Sequence, residues 1–165
     1  SKIKIMANLL FDDSSNGATF SECGRYRYRL WRKWDESKPK ITFVGLNPST
    51  ANADQNDATI RTVMMFAKMW GYGGIFMVNL FPFISTDPTQ LRTEHLGDND
   101  LHICDCESQS STIVFAWGAW KVAKERGAEI ASKFPRAMAM FINSDGSPHH
   151  PLYLPKSTHL IPYKL

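Results

Sequence analysis

Four apolar, β-branched runs recur along the chain, and each stops abruptly in a polar or glycine turn. The first, Ile41-Thr-Phe-Val-Gly45, runs into Leu46-Asn47-Pro48-Ser49-Thr50, and the second, Ile75-Phe-Met-Val-Asn79, ends just before a turn at Pro82. Ser111 to Gly118 forms the third, and Ala137 to Ile142 the fourth, which delivers a loop from Asn143 to Pro155. Short apolar runs bounded by turn formers predict buried strands. Helical spacing fills the intervals. After Asp57, a natural N-cap, Ile60, Val63, Met64 and Ala67 fall at i, i+3, i+4 and i+7, and Gly71 marks the end of a helix reaching about Trp70. Asp87-Pro88 opens a short helix, and Asp98 to Glu107 predicts a second. From Ala119 to Phe134, Trp120, Ala123, Gly127, Ile130, Ala131 and Phe134 share one face, and Pro135 follows. Strands alternating with helices imply an α/β fold: three α/β/α layers around a central, mainly four-stranded parallel sheet, reached by right-handed crossovers.

The N-terminal part departs from this rhythm. Residues 1–18 read as an arm or an added strand ahead of a single domain over residues 19–165. Arg25-Tyr-Arg-Tyr-Arg-Leu-Trp then alternates with period two, so Arg25, Arg27 and Arg29 share one face and Tyr26, Tyr28 and Leu30 the other. Arg32 and Lys33 extend the positive run. Two readings stay open: an edge strand or hairpin whose solvated arginines discourage further pairing, or a ribbon whose guanidinium forks meet phosphates.

Composition narrows the classes. With 165 residues, 43% of them apolar, the chain can bury one sizeable core. No apolar run approaches the ~20 residues of a membrane helix, and no signal-peptide order is present, so a cytoplasmic protein with no membrane partner is expected. Cys23, Cys104 and Cys106 form no disulfide or metal framework, and neither metal nor cofactor is assigned. A net charge of +3 permits a polyanionic partner without demanding one. Oligomeric state cannot be read from the sequence.

Because strand ends in such sheets open into a crevice beside helix N-termini, the four turns are where chemistry is expected. Phosphate-loop, nucleophile-elbow and dinucleotide signatures are missing. The turns instead carry neutral groups: the Asn47 and Asn79 amides, the Ser49 and Thr50 hydroxyls, and His149 and His150 in a proline-stiffened loop. An amide offers a donor and an acceptor side by side, as reading a nucleobase edge requires. A neutral histidine can donate to an oxygen that gains negative charge. Asp54, Asp57 and Arg61 stand beside the first turn as carboxylate or anion partners, or simply as a cap and a surface ion pair.

These residues carry a resemblance. Gly45-Leu-Asn47-Pro48 resembles the first motif of uracil-DNA glycosylases, whose Gly-x-Asp/Asn-Pro turn positions the hydrolytic water. Phe76-Met-Val-Asn79 resembles the strand whose terminal Asn reads the flipped uracil, and Ile113-Val-Phe-Ala-Trp117-Gly118 is similar to the strand and glycine before the next helix. His150-Pro151-Leu152 resembles the start of the last motif, whose His faces the departing base and whose apolar side chain wedges into the duplex. From about Thr19 the chain also resembles a bacterial and phage family of unknown function, DUF1643. Its marks are Arg27-Tyr-Arg-Leu-Trp, Leu46-Asn-Pro-Ser-Thr-Ala, Asp57-Ala-Thr-Ile-Arg61, Trp70-Gly-Tyr-Gly-Gly, Val78-Asn-Leu-Phe and Asp145-Gly-Ser-Pro-His-His-Pro-Leu-Tyr.

The glycosylase resemblance implies a glycosylase-like fold, DNA as partner and hydrolysis of the N-glycosidic bond of an extruded pyrimidine or modified base. It gives Asn47 the water, within a turn shaped by Gly45, Leu46 and Pro48 and supported by Ser49 and Thr50. Asn79 reads the base, Phe81 stacks on it and His150 stabilises its anion. Leu152 or Tyr153 fills the vacated stack, Pro151 contacts the DNA beside them, and Arg25, Arg27, Arg29 and Arg32 hold phosphates. An amide cannot accept the water's proton, so with Asn47 in place of Asp catalysis would rest on positioning the water and stabilising the leaving base anion, and Asp54 or Asp57 either supplies the missing carboxylate or simply caps the helix. Two other readings compete: a module of the same fold that binds nucleic acid or nucleotide without turnover, and a host-directed interaction protein with a patch around Trp31 and Trp34.

Overall fold

A computed structural model describes residues 14–164, so the first thirteen residues of the expected arm, with the Ile3–Leu10 run, lie outside the described residues. Seven strands form one sheet: β1 (Asn16–Phe20), β2 (Arg27–Lys33), β3 (Lys40–Gly45), β4 (Gly74–Asn79), β5 (Thr112–Phe115), β6 (Met138–Ala139) and β7 (Ile161–Pro162). Their order is β1-β2-β4-β3-β5-β6-β7. Among the described residues three helices accompany them, α1 (Ala58–Met69), α2 (Leu96–Ser108) and α3 (Ala123–Ala131), with a 3-10 turn at Pro88–Gln90.

The mixed α/β character holds, but a mainly parallel four-stranded sheet does not describe the whole. Neighbours β4-β3, β3-β5 and β5-β6 run parallel, whereas β1-β2, β2-β4 and β6-β7 run antiparallel. Parallel neighbours need a crossover helix, and antiparallel ones do not. The antiparallel strands come from chain that precedes the first crossover or follows the last, so they join both sides without a helix. β1 also crosses the boundary drawn at residues 18 and 19.

Helices cover both faces. Against α1, with Ile60, Val63, Phe66 and Ala67 inward, lie Leu30, Ile41, Phe43, Ile75 and Met77. The other face presents Trp31, Val44, Phe76, Val78 and Phe115 to Ile103 and Cys106 of α2 and to Ala123, Ile130 and Ala131 of α3. Burying each such Leu, Ile or Phe contributes about 1.5–3 kcal/mol.

The arginine strand is where the sequence expectation fails most. β2 is an interior strand, flanked by β1 and β4, and Arg27 to Arg32 are all buried. A solvated edge and an exposed arginine ribbon are both excluded for it. Trp31 is buried too, which removes the proposed Trp31–Trp34 patch. Period two also breaks. Thr19 pairs with Arg29 but Phe20 with Arg27, so Tyr28 is an extra, bulged residue. Beyond the bulge Arg27 changes face: its guanidinium reaches Ala51 ahead of α1, on the side of Leu30 and Arg32, whereas Arg29 reaches α2.

The third helix also starts later than the periodicity predicts. Gly118, at φ +80°, turns the chain immediately after β5, and Ala123 N–H donates to Trp120 O (3.0 Å), so residues 119–122 form a turn ahead of α3. Trp120 therefore stays 45% exposed instead of entering the core.

Candidate functional site

The carboxyl ends of β3 and β4 open into a cavity of about 410 Å³. Gly45, Leu46, Asn47, Met77 and Asn79 form its floor, and Asp57, Thr59 and Ile60 of the α1 start form one wall. His149, His150, Leu152 and Tyr153 face them, Ser85, Thr86, Pro88 and Trp120 complete the rim, and Arg27 closes the β2 side. Pro48 and Ser49 line it as well.

Asn79 ends β4 and is 1% exposed, yet its Nδ2 has no hydrogen-bond partner. Its backbone is pinned from behind: Asn99 Nδ2 donates to Asn79 O (2.8 Å), and Arg126 Nε donates to Leu80 O (3.1 Å). Glycine lets β3 pass close beside it, because a Cβ at Gly45 would stand 2.8 Å from Asn79 Oδ1 and 2.7 Å from Met77 Cε and would force those side chains to move. An unpaired amide at the floor of a cavity is costly in the empty protein and is what a ligand with a complementary edge would satisfy.

Asn47 has a second task. Its Nδ2 donates to Ser85 O (2.8 Å), Pro48 O (3.1 Å) and Phe83 O (3.4 Å), stapling the rim to the β3 turn. Among the described residues no donor reaches its Oδ1, which is the atom left to hold a water. Asp57 caps α1, its Oδ1 accepting from Ile60 N–H (2.9 Å), a contact worth about 1 kcal/mol. It is the carboxylate of the cavity wall, and its charge acts on both Arg27 and His150.

Both histidines line the cavity. His150 Nδ1 accepts from Leu152 N–H (3.2 Å), which leaves the ring proton on Nε2 as a donor. Burial, followed by His149, lowers the His150 pKa from its ordinary value, while Asp57 opposes the shift, so the ring is neutral at neutral pH. His149 Nδ1 is instead engaged with His150 O. Tyr153 is 99% exposed at the loop tip, in the left-handed region at φ +68°.

Arg27 is 2% exposed, and Nη1 donates to Ala51 O (3.0 Å). Burial pulls its pKa down to about 10, with Asp57 opposing, so the guanidinium stays charged at neutral pH. Its Nε is covered and meets no acceptor.

Several expected residues are elsewhere. Phe81 is buried in the α2-side core and cannot stack on a ligand here. Thr50, Asp54 and Arg25 are exposed and outside the lining, and Arg61 spends Nη1 on Asn56 O (3.0 Å). Pro151 is buried behind its loop. Arg29 pairs with Asp105 (2.8 Å) and His102 Nδ1 (2.7 Å), and Arg32 bonds Asn56 Oδ1 (2.9 Å) and several carbonyls, so neither is available to a phosphate. Sequence reasoning missed Thr59, Ser85, Thr86 and Trp120. Ser85-Thr86 after the second strand turn was the available signal; Trp120 was hidden by its helical spacing.

The family profile of DUF1643, described as a protein of unknown function, matches residues 27–152. The chain belongs to the DUF1643 family. That span contains every cavity residue except Tyr153. No curated protein and no solved structure matches the chain. Among the described residues of this DUF1643 chain no helix is long and apolar enough to cross a membrane.

Proposed function

We propose that the cavity receives a nucleobase extruded from DNA and that the protein hydrolyses its N-glycosidic bond. The observation that carries this is the Asn79 amide, buried, unpartnered and held in register by Gly45 and Asn99 at the cavity floor. It supplies the donor and acceptor pair that a base edge needs. His150 supplies an Nε2–H donor to the leaving base, and Asp57 supplies the carboxylate that Asn47 lacks. A water held by Asn47 Oδ1 attacks C1′ of the sugar and passes its proton to the Asp57 oxygen not used in the cap. The C1′–N bond breaks, its electron pair leaves with the base, and His150 stabilises that anion. Leu152 and Tyr153, on the projecting loop tip, would occupy the emptied stack. On this reading the parallel block β4-β3-β5-β6 is glycosylase-like, and the protein works on cytoplasmic DNA.

Alkali-revealed cleavage of oligonucleotides carrying uracil, mismatched thymine, hydroxymethylated, glucosylated or deaminated bases tests the proposal. Abasic product from one substrate, abolished in Asn79→Ala and in Asp57→Asn, is expected; no product from any of them rejects hydrolysis. One observation favours the alternative of a binding module without turnover: the residue at the water position is an amide, Asn47, which cannot take the water's proton. Base-selective binding without product would select it.

A further inference from the structure

Arg27 has an environment that structure alone does not require. Its guanidinium lies inside the protein, yet among the described residues only its Nη1 finds an acceptor, Ala51 O at 3.0 Å. Nε is buried without a partner, and among the described residues nothing accepts from Nη2. No carboxylate stands within ion-pair distance of it among the described residues, although Asp57 acts on it across the cavity. The neighbouring arginines differ in what they meet: Arg29 also leaves Nη2 unfilled, but its charge is paired with Asp105 and its Nε donates to His102, and Arg32 bonds Asn56, Gly17, Trp31, Asn52 and Gln55. A buried charge with unfilled donors is costly unless a partner arrives. Arg27 lines the same cavity as Asn79, whose amide is also unpartnered. A guanidinium is a flat fork matched to two oxygens of one oxyanion.

We infer that Arg27 is the receptor for an oxyanion carried by the ligand, so that the cavity takes a nucleotide bearing a phosphate or a carboxylate in preference to the neutral nucleoside. The inference rests on the nucleobase reading of the cavity for the class of ligand but not on hydrolysis. Phosphate and carboxylate share the chemistry that the fork recognises. An Asp57 carboxylate facing the same space adds selectivity, since it repels any anion that does not reach the guanidinium.

The test is calorimetric titration of the intact protein with uridine, uridine monophosphate, orotidine and inorganic phosphate. The expected result is that uridine monophosphate or orotidine binds at least about tenfold more tightly than uridine, as one charge-assisted contact supplies. Preference for the monophosphate assigns the oxyanion to the phosphate, and preference for orotidine assigns it to the base. Arg27→Gln should abolish the preference and Arg27→Lys should retain part of it. Because a β2 variant can fail to fold, the wild-type comparison also stands alone: uridine binding as tightly as both charged ligands overturns the inference. So does a preference that survives in folded Arg27→Gln. Abasic product from a neutral base with no charge preference would leave hydrolysis standing and remove this inference; charge preference without product would do the reverse.

Discussion

Arg29 and Arg27 stand two residues apart on β2, both buried, and meet opposite surroundings. Under α2, the charge of Arg29 is paired: Asp105 pairs with it, His102 accepts from it, and Tyr28 stacks on His102 at 4.9 Å, although Arg29 Nη2 and His102 Nε2 have no hydrogen-bond partner. Close by, Arg126 pairs with Asp100 and also holds the β4 end through Leu80 O. On the other face, Arg27, Asp57, Asn79 and His150 line a cavity and leave donors unfilled. The same residue types thus do two jobs. Where the charges pair with one another they hold the sheet to its helices, and where a buried charge has no carboxylate at ion-pair distance among the described residues it lines a cavity. The bulge at Tyr28 divides the two arginines between those jobs.

Substitution of each arginine by methionine is the sharpest way to test that division. Arg29→Met strands Asp105 and His102, and breaking a buried pair on one side costs about 3–5 kcal/mol. Asp105 keeps a quarter of its side chain in solvent, so the lower end, about 3 kcal/mol, is expected. Arg27→Met removes a charge that no described residue pairs with, and stability should change by less than about 1 kcal/mol or rise. Urea denaturation of both variants reads the difference. Equal losses would mean that Arg27 is structural and that the contrast between the faces is false.

The difference between the arginines was not legible in the sequence, whereas the floor of the cavity was. Asn47, Asn79 and the Asp57 cap follow from local signals, an apolar run meeting a turn and a cap preceding a helical period. Those signals survive folding because their partners are close in the chain, as with Asp57 and Ile60. The fate of Arg29 depends on His102, seventy-three residues away, and that of Arg27 on a bulge created by pairing with β1. A period-two pattern cannot announce its own interruption. Trp120 was misread for a related reason: helical spacing is present in the sequence, but the left-handed turn at Gly118 delays the helix until Ala123.

A pH series sharpens the comparison at smaller amplitude. Burial, and then the charge of Arg29, holds His102 down from its ordinary 6.5 to about 3. The unfolded chain therefore takes up a proton that the folded one refuses. The resulting stability is fully present above about pH 6.5 and is lost progressively as pH falls towards 3, by at most about 1.4 kcal/mol per pH unit for one proton. His150 is lowered in the same direction, from the cavity face. Denaturation midpoints between neutral and mildly acidic pH should flatten more in His102→Gln than in His150→Gln. The reverse order would place the more strongly buried proton site in the cavity and not under α2.

The smallest stability effect is expected at Asp57, where the two jobs meet in one side chain. Asn caps a helix about as well as Asp, so Asp57→Asn should keep the acceptor for Ile60 N–H and move the denaturation midpoint by no more than about 0.5 kcal/mol. The change nevertheless removes the one negative charge that acts on both Arg27 and His150. If the cavity hydrolyses a glycosidic bond, losing this base should slow turnover by on the order of 10²–10⁴. It should at the same time strengthen anion binding, because the repelling carboxylate is gone while the Arg27 fork remains. A variant that melts like the wild type, binds uridine monophosphate more tightly and releases no base would separate the cap from the chemistry in a single residue. A variant that loses as much stability as Arg29→Met would show instead that the cavity wall, like the network under α2, is held together by its own charges.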